Sequence, residues 1–209
     1  MKATITSPPR LSGTLAPPGD KSISHRSALL NSIAQGEAVV TNYSSGADCA
    51  STIRCLRAMG VKIERADEPG SYVVHGAGLD GLQESPDVLN AGNSGTTMRL
   101  LLGLLAGQPF LSIVTGDSSL RSRPMGRITT PLSLMGAQVQ GRDNNTKAPL
   151  VIRGGDLHGI EYTMPVASAQ LKSCLTIAGL FASGETTLHQ PAASRDHTER
   201  MLEQMGATL

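Results

Sequence analysis

The chain has 209 residues, 39% of them hydrophobic and only 2% aromatic, with 18 Lys and Arg against 17 Asp and Glu for a net charge of +1. That length and apolar content suit one sizeable domain or two small ones, while the balanced charge and scarcity of rings argue against nucleic acid and anionic membranes as partners. Three cysteines, Cys49, Cys55 and Cys174, have neither a disulfide nor a metal-site spacing and read as reduced thiols.

The opening MKATITSPPRLSG has no apolar signal-peptide core, and Pro9, Pro17 and Pro18 oppose a transit helix, so a cytoplasmic location is expected. From Asp20 an apolar helical run leads to Gly36 and a β-rich stretch; a second helix ends in Leu56-x-x-Met-Gly-Val61; VKIERADEPGSYVVHG then reads as two short strands around a polar turn. The same order recurs at a spacing of roughly 75 residues. LLLGLLAGQPFLSIV leads through Leu132-x-x-Met-Gly-Ala137 to QVQGRDNNTKAPLVIRGG, and LTIAGLFASGETTL leads to Leu202-x-x-Met-Gly-Ala207. The third copy reaches Leu209 without its hairpin, so a truncated unit is expected. Gly36, Gly107 and Gly184 are placed as left-handed helix ends.

The leading helix of each copy is apolar on nearly every face, which in a water-soluble chain means enclosure. The apolar runs, interrupted by Gly103 and Gly179, are too short to span a membrane. The expected fold is therefore α/β, with repeated units that place helices inside and sheets outside. Helix N-termini directed at a common point would present unpaired N–H groups and the positive ends of their dipoles, a site for anions.

The residues at those helix starts suit this role: Asp20-Lys-Ser-Ile-Ser-His-Arg26, Asn93-Ser-Gly-Thr-Thr-Met-Arg99 and Ser168-Ala-Gln-Leu-Lys172. Hydroxyls there are expected to cap the helices whatever else they do. A cation in the first turns opposes the dipole, and a bound anion would resolve that conflict; side chains pointing to solvent are the plain alternative. Ser118-Ser-Leu-Arg-Ser-Arg123-Pro124 and Ser194-Arg195-Asp196-His197 again place arginine at helix entrances. Pro124 holds Arg123 extended beside the helix mouth, and the guanidinium fork matches a phosphate or carboxylate. A surface ion pair of Arg195 with Asp196 or Glu199 is the competing assignment there.

DKSISHRS at 20–27, GNSGTTMR at 92–99, RSRPMGR at 121–127, ASAQLKS at 167–173 and SRDHTER at 194–200 together resemble, in order, the signature segments of EPSP synthases (5-enolpyruvylshikimate-3-phosphate synthases), in the forms of the branch called class II. The similarity runs from about Pro17 to Leu209 and covers the N-terminal half of that family. It implies an inside-out α/β barrel of βαβαββ units, one of two similar domains. Residues 1–14 would be a strand and hinge belonging to the missing C-terminal domain, and 15–209 a domain of three repeats (15–84, 85–160 and an incomplete 161–209).

The implied reaction is transfer of an enolpyruvyl group from phosphoenolpyruvate to shikimate-3-phosphate in aromatic amino-acid biosynthesis, with no metal or organic cofactor. By the resemblance, Lys21, Ser22 and Arg26 would hold the shikimate moiety, Lys21 also lying near the reacting hydroxyl. Ser168, the Ala169 N–H, Gln170 and Arg195 would grip the 3-phosphate. Asn93, Gly95 and Thr96 would shape the phosphoenolpyruvate pocket, with Arg123 on its phosphate. The space at Gly95 would also admit glyphosate. The remaining catalytic groups would lie in the missing domain, so the chain alone would bind shikimate-3-phosphate weakly without turnover. Two alternatives stand beside this: the related UDP-N-acetylglucosamine enolpyruvyl transferase, whose reactive cysteine is replaced here by Ser118, and a non-catalytic phosphometabolite-binding module. His25 is a candidate cleft residue, and Asp48 a helix-start charge.

Overall fold

The computed structural model describes residues 3, 4, 6–10 and 12–209. The middle repeat is the complete one. It runs β4 (Leu89–Asn90), α3 (Gly95–Ala106), β5 (Leu111–Thr115), the short α4 (Ser118–Ser122) with α5 (Gly126–Leu134), β6 (Gln138–Gly141), a single turn α6 (Arg142–Asn145) and β7 (Lys147–Arg153). Its sheet has the order β4-β5-β7-β6, with β4 parallel to β5 and the other pairs antiparallel. The α6 turn is left-handed, with φ of 53°, 53° and 66° at Asp143, Asn144 and Asn145, residue types that tolerate this conformation.

The first repeat comprises α1 (Lys21–Ser32), β1 (Gln35–Val40), α2 (Ala47–Ala58), β2 (Ile63–Arg65) and β3 (Tyr72–Ala77), in an antiparallel sheet ordered β1-β3-β2. This matches β5-β7-β6 of the middle repeat strand for strand. The third repeat has β8 (Glu161–Thr163), α7 (Ala169–Gly179), β9 (Thr187–His189) and α8 (His197–Gln204), with β8 parallel to β9 as β4 is to β5. Among the described residues before Asp20 there is no helix or strand; positions 1, 2, 5 and 11 of the proposed opening strand lie outside the described residues.

The three leading helices start in the same way. Asp20, Ser94 and Ser168 occupy the N-cap, and each side-chain oxygen accepts from the N–H three residues on, at Ile23 (2.8 Å), Thr97 (3.1 Å) and Leu171 (3.3 Å). Of the twelve residues of α3 only Thr96 escapes full burial, as expected of a helix enclosed on all sides. α3 lies closely against α7 because Gly103 has no side chain: a Cβ there would fall 2.3 Å from the Cys174 carbonyl oxygen. Gly107 departs from expectation. Its φ is −82°, so no left-handed turn requires glycine; the requirement is space, since a Cβ would sit within 2.1 Å of the Phe181 ring. Gly36 and Gly184 do have positive φ, 89° and 80°, but beyond the helix ends, Gly36 as the second residue of β1 and Gly184 in the connection to β9. Among the described residues no helix is long and apolar enough to cross a membrane.

Candidate functional site

At the start of α1, Lys21 Nζ lies 3.0 Å from Asp48 Oδ2 in the first turn of α2, both partly exposed. Ser22 Oγ accepts from Arg195 at 3.1 Å, so the segment before α8 meets the start of α1 across 173 positions of sequence. Arg26 is one turn further in and only 3% exposed. It donates to Thr198 Oγ1 and Ser173 Oγ, each at 2.7 Å, and to the Ser22 carbonyl at 3.1 Å, tying α1 to α7 and α8. Burial, and then Arg195, push its guanidinium pKa down.

The starts of α3 and α7 are joined by one amide. Gln170 accepts from Arg99 and donates to Thr96 Oγ1, each at 2.9 Å. Arg99 is 7% exposed, its Nε without a partner, and its pKa is lowered to about 10 by burial and by the charges of Arg127 and Arg123. Gly95, first residue of α3, faces these cations: a Cβ there would come 2.8 Å from Arg99 and 3.4 Å from Arg123. Arg123 is extended before Pro124 (φ −73°, ψ 143°) and donates to Asn93 Oδ1 at 2.5 Å and to Ser119 Oγ at 3.4 Å. Among the described residues, Arg99, Arg123, Arg127 and Arg195 have no carboxylate within 4.0 Å. Of these, Arg99 is buried and Arg123 half-buried, and guanidinium groups held near a helix N-terminus without counter-charge repel one another and the dipole, a conflict that an anion would relieve.

Two expected residues lie elsewhere. Lys172, the cation of the third helix-start motif, is buried and paired with Glu199 at 2.5 Å, beside a cavity of about 710 Å³ between α7, α8 and β9. Glu199 is thus taken by Lys172, and Arg195 reaches Ser22 instead. His25 does not line the cleft. It is fully buried, its Nδ1 lies 2.7 Å from Thr52 Oγ1, and burial lowers its pKa to about 4. Thr52 continues to Thr97 Oγ1 at 2.7 Å, and Thr97 to Ser94 Oγ at 2.8 Å, a hydroxyl chain linking α1, α2 and the cap of α3.

Of the remaining candidates, Ser168 caps α7, and Ala169 and Gln170 lie in its first turn, where N–H groups have no intrahelical acceptor. Sequence reasoning passed over Arg127 and the pairing of Asp48 with Lys21. Arg127 sits inside the RSRPMGR segment, where the repeated arginines were the available signal. Burial raises the pKa of all three cysteines, that of Cys55 to about 11, so none is a ready nucleophile.

The family model described as EPSP synthase (3-phosphoshikimate 1-carboxyvinyltransferase) matches residues 5–209. The chain belongs to the EPSP synthase family. A 3-phosphoshikimate 1-carboxyvinyltransferase of Herpetosiphon aurantiacus is 57% identical over 209 residues, covering all of this chain and 48% of the relative. That of Desulforudis audaxviator is 57% identical over 210 residues with the same coverage. A solved EPSP synthase from Acinetobacter baumannii superimposes with a TM-score of 0.87 at 49% identity, over 91% of this chain and 43% of that one. The chain therefore spans about half the length of the curated relatives it matches. The α/β fold of buried helices and outer sheets is that of one EPSP synthase domain.

Proposed function

We propose that this chain supplies the shikimate-3-phosphate side of an enolpyruvyl transferase that converts phosphoenolpyruvate and shikimate-3-phosphate to 5-enolpyruvylshikimate-3-phosphate and phosphate, in the cytoplasm. The observation that carries this is the set of arginines without counter-charge at helix starts of the middle and third repeats, Arg99 and Arg123 around Gly95 and Arg195 on Ser22 of the first repeat's α1. Ser168, the Ala169 N–H, Gln170 and Arg195 take the 3-phosphate. Lys21, Ser22 and the N–H groups of Arg26 not held by protein hold the shikimate moiety. Asn93, Gly95 and Thr96 wall the phosphoenolpyruvate pocket, with Arg123 on its phosphate.

In the reaction, the substrate 5-hydroxyl oxygen bonds to C2 of phosphoenolpyruvate while its methylene carbon takes a proton. The intermediate then loses phosphate and that carbon gives a proton back. Lys21, beside Asp48 and at the N-terminus of α1, exchanges the hydroxyl proton in this reading, and the arginines stabilise charge on the phosphates. No metal or organic cofactor takes part. The residues needed to finish the cleft belong to a second domain, to which the segment 1–14 contributes a strand; residues 15–209 form the domain of three repeats.

Titration of shikimate-3-phosphate into the chain tests this. Weak, salt-sensitive binding is expected, weakened further by Lys21→Met or Ser168→Ala, with no product when phosphoenolpyruvate is added. Equal affinity for UDP-N-acetylglucosamine would refute the assignment. The half-length match also favours a second reading, a phosphometabolite-binding module without catalysis, which predicts the same binding but no gain of turnover on adding the complementary domain.

A further inference from the structure

The exits of the parallel strands β4 and β5 are held side by side. Asp117 N–H donates to the Gly92 carbonyl at 2.8 Å, and a Cβ at Gly116 would fall 2.4 Å from that same carbonyl oxygen. This brings Asp117, the N-cap of α4, against Asn93, the residue before the cap of α3. One carboxylate oxygen of Asp117 accepts the Leu120 N–H at 2.7 Å, and the other accepts from Asn93 Nδ2 at 2.6 Å. The other end of the Asn93 amide, Oδ1, accepts from Arg123 at 2.5 Å.

A carboxylate can only accept, so Asp117 forces the NH₂ of Asn93 toward itself and the carbonyl oxygen toward Arg123. The result differs from a direct ion pair. Arg123 is oriented by a neutral acceptor and keeps its full charge for a ligand, with the carboxylate one residue removed. We infer that Asp117 is a positioning residue for the anion site at Gly95: it sets the polarity of the Asn93 amide, and the amide aims the Arg123 guanidinium at the mouth of α3. The phosphate-site role rests on the proposed function; the clamp itself rests only on the contacts above.

Two variants separate clamp from cap. Asp117→Asn keeps an oxygen for the Leu120 N–H but turns an NH₂ toward Asn93, so the Asn93 amide is caught between two donors: kept as it is, its NH₂ meets another NH₂, and flipped, its NH₂ meets Arg123, which can only donate; either way the hydrogen bond that holds Arg123 is weakened. Asp117→Ser keeps a capping oxygen and leaves Asn93 untied. The chain is labelled with ¹⁵N, and the Asn93 side-chain amide, the Arg123 guanidinium and the Gly95 backbone amide are followed by NMR, first alone and then with inorganic phosphate, with Arg123→Ala as reference.

For Asp117→Asn, displaced Asn93 and Arg123 signals in the free chain are expected, with phosphate affinity at Gly95 reduced about tenfold, the size of one charge-assisted hydrogen bond. Asp117→Ser should fall between Asp117→Asn and the parent, with shikimate-3-phosphate affinity within about twofold of the parent for both. Unmoved Asn93 and Arg123 signals in Asp117→Asn overturn the inference, even where Arg123→Ala weakens phosphate binding and upholds the proposed function. A parent chain whose Gly95 signal ignores phosphate overturns the phosphate-site reading and the inference with it.

Discussion

His25 makes the stability of this chain sensitive to mild acid. Its ring is fully buried, and the hydroxyl chain determines its tautomer. Thr97 Oγ1 has the Asp48 carbonyl at 3.2 Å and Ser94 Oγ at 2.8 Å to donate to. Thr52 then donates to Thr97 and accepts from an N–H on Nδ1 of His25. Nε2 is left as a bare lone pair with no partner among the described residues. Protonation would place a charge and an unmatched N–H in a dry site, which is why burial outweighs the attraction of Asp48 and, with Lys21 and Arg26 also opposing, lowers the pKa from 6.5 to about 4.

An imidazole whose folded pKa lies below its unfolded value takes its proton preferentially in the unfolded chain. Its contribution is therefore complete above pH of about 6.5 and is lost as pH falls toward 4. The loss is about 2 kcal/mol between pH 7 and pH 5, and about 3 kcal/mol over the whole interval. His25→Asn keeps a donor for Thr52 and removes the titration. Urea unfolding of both proteins at a series of pH values should show His25→Asn less stable at pH 7 by about 1–2 kcal/mol for the cavity it leaves, with that deficit vanishing near pH 5. Parallel stability curves, or a His25 ring that titrates near 6.5 in the folded chain by NMR, would refute this account of its environment.

Gly103→Ala forces α3 and α7 apart at the Cys174 carbonyl and should lower stability by about 3 kcal/mol, measured by denaturant midpoint; an unchanged midpoint would mean the helices have room to give. Gly95→Ala should displace the Arg99 guanidinium and weaken inorganic phosphate binding by about tenfold with little change in melting temperature. Lys172→Met leaves Glu199 half-buried without its partner and should cost about 2 kcal/mol, largely recovered in Lys172→Met with Glu199→Leu; a double variant no better than the single would show that the pair is not a unit.

Caps, hairpins and repeat order were legible in the sequence because each is decided within a few residues. An Asp or Ser oxygen reaches the N–H three positions on whatever surrounds the helix, and alternation with a polar turn suffices for β2–β3 and β6–β7. The segments that carry the site could be located for the same reason. What each cation does there was not legible. Arg99 is the fifth residue of α3 and Lys172 the fourth of α7, and one residue turns a side chain about 100° around the helix. Arg99 consequently faces the site, while Lys172 faces Glu199 on α8.

The sequence by itself determined where the helices begin, that they repeat and that hydroxyls and cations gather at their starts, since these follow from short-range hydrogen bonds and from apolar period. Only the tertiary structure decided that Arg26 is bound to Thr198 and Ser173, that Arg195 reaches Ser22 and that Asn93 stands between Asp117 and Arg123. Those partners come from different elements, some in different repeats, and which side chains meet depends on how closely the backbones pack. At Gly103 and Gly116 that closeness is set by the absence of a single methyl group.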